Sequence, residues 1–444
     1  MKKIYSLAIC FALFAPAFAQ DKHDFSSVTG TLIRTTPKLK DIDKNSVYGE
    51  PFTITRDENG LVGVVKKTAV VHPTTYESKY SGPDPLTNKH IPNGVTVASA
   101  TIGANFDGLG FTSVNPSDPN CAVGPNHVIQ TINNSSSSYF KIWNKAGTQV
   151  QSQLLISSLT GVQGSGDPVV VYDQLANRWL LTEFGRTPSS SSFINTLIMA
   201  VSVTDDPTGS WYIYSFVDNT FFVDFPKFSV WHNAYYATSN DFNTAGSAYL
   251  GSSIYAFERS KMLTGDPTAV GIRTRLTDAV SGRYFSMAPV CLEGTTTSSQ
   301  SGLFAFFQDD QFTPGADVDS LFIFEFTPNF AVPASSVIGA FTKMEAAPFD
   351  SDICAVTRDQ CVNQQGSGVA LESLAGRLTH KVIYRNFGTH ESIVANTSVD
   401  VGGQLTGIRW WELRRPAATW GIYQEGTHSP DANHRWLGGI CMDA

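Results

Sequence analysis

Two recurrent pairs of residues carry most of the chemistry this sequence offers. In its regular part, aspartate precedes proline at Asp118-Pro119, Asp167-Pro168, Asp206-Pro207 and Asp266-Pro267, and a further aspartate, Asp173, opens a turn. Carboxylates converging from several loops are what a hard cation such as calcium needs. An aspartate before proline or at a turn more often caps that turn by accepting hydrogen bonds from its own backbone. No DxDxDG loop is present, so the sequence specifies no metal and calls for no cofactor. Arginine precedes tryptophan at Arg178-Trp179, Arg409-Trp410 and Arg435-Trp436. A guanidinium beside an indole face can hold the carboxylate and stack on the ring of a sugar. Recurrence in one strand context favours a structural role instead, the tryptophan packed between sheets and the arginine paired with a neighbouring carboxylate.

Other catalytic signatures are missing. Gly164-Ser165-Gly166 and Gly366-Ser367-Gly368 are not nucleophile elbows, no HExxH occurs, and no phosphate loop or dinucleotide fingerprint is found. His127, His232, His380, His390, His428 and His434 are scattered singly. Catalytic activity is therefore uncertain from sequence.

These residues must be placed by strands. From Gly166 to Phe216 four β-type runs follow one another: Pro168–Tyr172, Trp179–Phe184, Leu197–Val203 and Trp211–Phe216. They are rich in Val, Ile, Tyr, Trp and Phe and are separated by Asp, Asn, Gly, Pro and Ser. Four antiparallel strands in about 50 residues match one propeller blade. Similar groupings begin near Asp118, Asp224, Arg283 and Arg377, and no stretch holds a 3.6-residue apolar period. A sixth group opens at His434 and offers one strand before Ala444. The expected fold is all-β, a propeller of about six blades whose last blade is incomplete, with Gly60–Val71 the apolar run best placed to be lent to it.

Three regions follow. Residues 1–19 read as an export signal, with Lys2 and Lys3, an apolar core and Ala17-Phe18-Ala19 at the cleavage positions. Residues 20–104 read as an extension and linker, and residues 105–444 as the propeller. The net charge of −8 and the 16% charged fraction argue against nucleic acid or an anionic membrane as partner. No later run is long and apolar enough to span a bilayer. The chain is expected to be exported, extracellular or periplasmic. In that compartment Cys354 and Cys361, seven residues apart in a polar loop, are the best disulfide candidates.

Longer segments carry a resemblance: DPNCAVGPNHVIQTIN, GDPVVVYDQLANRW, DFPKFSVWHNAYYATSNDF, RLTHKVIYRNFGTHESIVANTSV, GIRWWELR and HSPDANHRWLGGICMDA. Together they resemble one group of large secreted bacterial β-propeller proteins, most without an assigned activity. The segment TDDPTGSW, Thr204–Trp211, resembles the Asp-box turn of sialidase-like propellers. The resemblance covers residues 105–444 and implies export and a propeller, but no particular reaction. The leading expectation is a binding protein that presents loops to an extracellular protein or glycan. The loops Asn133–Tyr139, Ser189–Phe193 and Asn240–Tyr249 are the candidates. The alternative is a glycan-active hydrolase of the sialidase-like class.

Overall fold

The computed structural model describes residues 23–42, 82–87 and, apart from short connecting stretches, 103–443. The expected export signal, the Gly60–Val71 run and the Cys354–Cys361 pair lie outside the described residues. Strand β1 is Ser26–Thr35. Five meanders follow. The first is β2 (Asn120–Val123), β3 (His127–Ile132), β4 (Tyr139–Asn144) and β5 (Gln149–Leu155). The second is β6 (Gly166–Asp173), β7 (Arg178–Pro188), β8 (Phe193–Ser202) and β9 (Trp211–Val217). The third is β10 (Phe222–Val230), β11 (Tyr235–Phe242), β12 (Tyr249–Phe257) and β13 (Val270–Leu276). The fourth is β14 (Ala288–Leu292), β15 (Gly302–Gln308) and β16 (Ser320–Thr327), with β17 (Val337–Ile338) and β18 (Thr342–Glu345) both paired to β16. The fifth is β19 (Val382–Asn386), β20 (Glu391–Asp400), β21 (Thr406–Arg415) and β22 (Gly421–His428).

Within each meander, consecutive strands pair antiparallel. The first strands β2, β6, β10, β14 and β19 lie beside one another in that order, and β14 pairs with β19 in parallel. Sheets arranged with their first strands innermost around a common axis form a β-propeller. Apolar side chains fill the spaces between successive sheets. Trp179 and Trp211 lie between the first and second, Tyr214, Phe228 and Phe257 between the second and third, and Trp231, Phe304 and Trp411 in the layer joining the third to the fifth.

The meanders among the described residues number five, against about six expected. Residues 429–443 form no strand. Arg435 N donates to Thr406 O and Leu437 N to the Ser398 hydroxyl, so this segment lies across the ends of β20 and β21. Leu437 has φ 49°, which breaks the extended run that its apolar composition suggests. One strand without partners cannot hold itself as a sheet.

The extension before residue 105 adds β1, and its position is unusual. Ser26–Thr29 pair with β13 and Gly30–Thr35 with β9, so one strand splices the outer edges of two neighbouring blades. Gly30 stands at the changeover. A Cβ there would lie 2.5 Å from Ala269 O and 2.6 Å from the Phe216 ring. Backbone and a core aromatic cannot both move aside. Gly30→Val is therefore expected to destabilise by on the order of 1–3 kcal/mol through overpacking. A thermal melt reads this directly, and an unchanged midpoint would mean that β1 is not seated as described.

Candidate functional site

The first strands open at one end of the axis with a repeated backbone feature. Asp118, Asp167 and Phe225 have φ of 38°, 50° and 52°, and each immediately precedes a proline. Ser286, just ahead of β14, has φ 56°. Residues before proline favour extended backbone, so a left-handed conformation there is held by its surroundings. The constraint brings charged groups of three blades to one opening. Asp118 precedes β2, Asp167 lies in β6, and Asp224 and Lys227 lie in β10. The Lys227 ammonium is within electrostatic reach of Asp167, Asp118 and Asp224, and also of Arg377 ahead of β19. Burial lowers the lysine pKa, the three carboxylates work against that, and Arg377 adds to it; the net direction is down. Lys227 Nζ lies 3.7 Å from the centroid of the Phe225 ring, and the Arg377 guanidinium sits over Phe225 at 4.6 Å and over Phe285 at 5.6 Å.

Asn133, just past β3 and buried, holds the aspartates in place. Its Nδ2 donates to Asp118 Oδ2 at 2.8 Å and to Pro116 O at 3.1 Å. Its Oδ1 accepts from Asp167 N at 3.0 Å. Asp167 Oδ2 in turn accepts from Phe225 N at 3.1 Å. One amide and one backbone N–H thus tie the openings of three successive blades. Behind Asn133 lies Glu183 of β7, fully buried. It accepts from Ser138 N (2.6 Å), Ser138 Oγ (2.8 Å) and Ser137 Oγ (2.9 Å). Burial pushes its carboxyl up to about 7, and these hydrogen bonds only partly offset the desolvation.

A second acidic group occupies the connection from β15 to β16. Asp309, Asp310 and Asp319 each bring a carboxylate oxygen within 4.8 Å of the others. Oxygen donors at that spacing suit a hard cation. The same carboxylates also bind backbone. Asp309 Oδ2 accepts from Ser351 N and Oγ, Asp319 Oδ2 from Phe349 N, and Asp319 Oδ1 from Asp310 N. Burial raises Asp309 to about 6 and Asp319 to about 7, and Asp350 nearby also reaches about 7 through burial and the charge of Asp309.

The structure divides the candidates named from sequence. Asp118 and Asp167 meet at the opening. Asp206 and Asp266 instead cap outer turns, each Oδ1 accepting from the backbone and hydroxyl of the threonine two residues on. The Asp-box-like segment is thus the turn between β8 and β9. Asp173 is buried and takes Arg259 Nε at 2.7 Å, Arg259 Nη2 at 2.9 Å and the Tyr235 hydroxyl at 2.9 Å. Arg178 donates to the carbonyls of Ala176 and Asn177, so its expected carboxylate partner is replaced by backbone. Trp179 is core, its Nε1 bonded to Asp205 O. Arg409 is fully buried and pairs with Asp84 at 2.7 Å. Trp410 is half-buried against Gly426. Arg435 pairs with Asp431, and Trp436 is half-buried on the terminal segment. Arg178-Trp179 lies on β7 of the second blade, while Arg409-Trp410 and Arg435-Trp436 both belong to the fifth, where Arg435 N bonds Thr406 O at the start of β21.

Asn133, Glu183, Lys227 and Arg377 belong to no motif. One signal was available for them: Phe225-Pro226 stands in the third blade where Asp-Pro stands in the first two.

No family model matches the chain, and no curated protein matches it. Solved structures that it resembles include a xylan β-1,4-xylosidase from Bacillus halodurans C-125, at 9% identity and TM-score 0.32, covering 74% of this chain and 60% of that one. A thermostable family-43 glycoside hydrolase aligns at 14% identity and TM-score 0.35, over 72% of this chain and 98% of that one. An α-L-arabinanase of Penicillium chrysogenum complexed with arabinobiose aligns at 12% identity and TM-score 0.35, over 72% and 82%.

Proposed function

We propose that this chain is an exported, glycan-active hydrolase whose working site is the axial opening, with Asp118 and Asp167 as its carboxylate pair. The observation that carries the proposal is the convergence of carboxylates from neighbouring blades on one opening, positioned by Asn133 and by Phe225 N. Glycoside hydrolysis asks for two carboxyl groups flanking the scissile bond, one to protonate the leaving oxygen and one to act as base or nucleophile. Asp118 is held by a side-chain amide and Asp167 by a backbone N–H, which fixes each carboxylate at the opening. Lys227 offsets the repulsion among Asp118, Asp167 and Asp224 and offers a donor to a sugar oxygen. A second reading, binding without turnover, draws on the same charges: a lysine amid three aspartates suits fixed polar recognition.

Release of chromophore from a panel of aryl glycosides, run beside a glycan array, tests both. Hydrolysis that falls by about 10²-fold or more in Asp118→Asn and Asp167→Asn, with binding retained, is the expected result. Binding without hydrolysis by the native protein would replace the first reading with the second. If neither binding nor release occurs, or if both variants hydrolyse at the native rate, the axial opening is not the site.

A further inference from the structure

Glu183 is buried within reach of the opening yet does not line it. A Cβ on Gly164 would lie 1.8 Å from Glu183 Oε2, so the backbone closes directly over the carboxylate. Two links run from it toward the opening: the Ser138 hydroxyl, and the N–H of Gly166, which directly precedes Asp167. Ser138 Oγ lies 2.8 Å from Glu183 Oε1 and 3.3 Å from Asn133 Oδ1. A serine hydroxyl carries one proton and can donate to only one of them at a time.

We infer that Glu183 is a positioning residue for the axial site: its protonation state decides, through the Ser138 hydroxyl, how firmly Asn133 holds Asp118 and Asp167. This rests on the reading of the opening as the working site. The proton moves as follows. When Glu183 is ionised, Ser138 O–H donates to Oε1, and Asn133 Oδ1 keeps only Asp167 N. When Glu183 takes up a proton, its own O–H donates to a serine oxygen. The Ser138 proton is then released to turn toward Asn133 Oδ1, giving that amide a second anchor. No bond other than hydrogen bonds is made or broken, and the one proton comes from solvent.

Among the described residues, the groups that face Glu183 are few. Ser137 and Ser138 approach from the connection between β3 and β4, and Gly164 and Gly166 from the segment that opens β6. Ile198 of β8 is its registered neighbour. None is charged. The charged groups beyond them are Asp118 and Asp167, reached through Asn133, and Lys227. Buried carboxyls of this kind titrate near neutrality when desolvation outweighs their hydrogen bonds, and Glu183 is raised to about 7 on that account.

The test uses full-length protein labelled on asparagine, with side-chain amide resonances followed from pH 5.5 to 8.5. The Asn133 amide is expected to shift through a one-proton transition centred near 7 in the native protein. The transition is expected to vanish in Glu183→Gln, which supplies a permanent donor to Ser138, and in Ser138→Ala, which removes the hydroxyl that alternates between Glu183 and Asn133 while leaving the backbone N–H bonds to Glu183 in place. Loss of the transition in both variants supports the inference. An Asn133 amide with no transition near 7, or one that survives in either variant, overturns it. Affinity for whichever glycan the array identifies supplies the second readout. It should weaken by about fivefold above pH 7 in the native protein, the worth of one net hydrogen bond, and stay flat in Glu183→Gln. If no glycan binds but the amide titrates as described, the coupling stands and only the assignment of the opening falls.

Discussion

The melting temperature of this protein, measured in chelator, is expected to be several degrees lower at pH 8 than at pH 5.5. Four carboxyls lead, Glu183, Asp309 and Asp319 buried and Asp350 half-buried, and the buried Asp241 is raised in the same direction. Burial raises Glu183, Asp319 and Asp350 to about 7 and Asp309 to about 6. A carboxyl whose value is raised in the folded state contributes most when protonated. Its contribution is complete below its ordinary value and is lost as the pH climbs through the folded one. For Glu183 that window runs from 4.5 to about 7, and for Asp319 and Asp350 from 3.8 to about 7. Between pH 5.5 and 8 Glu183 alone then accounts for about 2 kcal/mol. Glu412 acts in the opposite sense. Its burial is outweighed by bonds from Arg414, Ser392 and Gln424, so its value is lowered and its contribution fails only in acid below this range. Glu183→Gln should match the native protein at pH 5.5 and exceed it at pH 8. A midpoint that is flat or rises across the range would show that these carboxyls are better solvated than their burial implies.

Arg409→Ala is expected to be among the most destabilising single changes in the chain, at about 3–5 kcal/mol. The Arg409 guanidinium has no exposure, nor does the Asp84 carboxylate it pairs with. It also donates to the Thr427 hydroxyl and to the carbonyls of Ala347 and Pro348. Truncation strands a buried carboxylate and two carbonyls together. The double change Arg409→Met with Asp84→Leu removes both charges and should recover a good part of the loss, since hydrophobic replacement of a buried pair is often neutral. Denaturant unfolding of the three proteins decides this. A stable Arg409→Ala that had instead lost affinity for a glycan would return this arginine to the role its Arg-Trp context first suggested.

Much of the architecture was legible because strand signals are local. Pro168–Tyr172 through Trp211–Phe216 read as four strands and are four strands, since alternation and turn chemistry act within a few residues. The terminal segment misled because its Trp436, Leu437 and Ile440 look like a strand, while a strand is defined by a partner that no local pattern reveals. The site was only half legible. Asp118 and Asp167 stood out by their prolines, but the same dipeptide caps ordinary turns at Asp206 and Asp266. Position around the axis separates the two uses, and composition does not carry position. Lys227, Asn133 and Glu183 acquire meaning only when the starts of different blades are brought together. Arg409 was conspicuous for its tryptophan, yet its partner is Asp84, far earlier in the chain.

The splice made by β1 bears on the order in which the chain can acquire its structure. The Ser26 hydroxyl bonds the Arg273 carbonyl, 247 residues away, and the other end of the strand pairs with residues up to Phe216. The segment made early must therefore wait, unpaired, until two later blades have been synthesised and have formed their outer edges. Contacts of such sequence separation are formed late and slowly, because a long loop must close before any of them is rewarded. In the interval β9 and β13 expose open edges, the kind that recruit strands from other chains. Arrival of β1 ends that vulnerability for both blades at once, and makes the second and third blades a single unit of assembly.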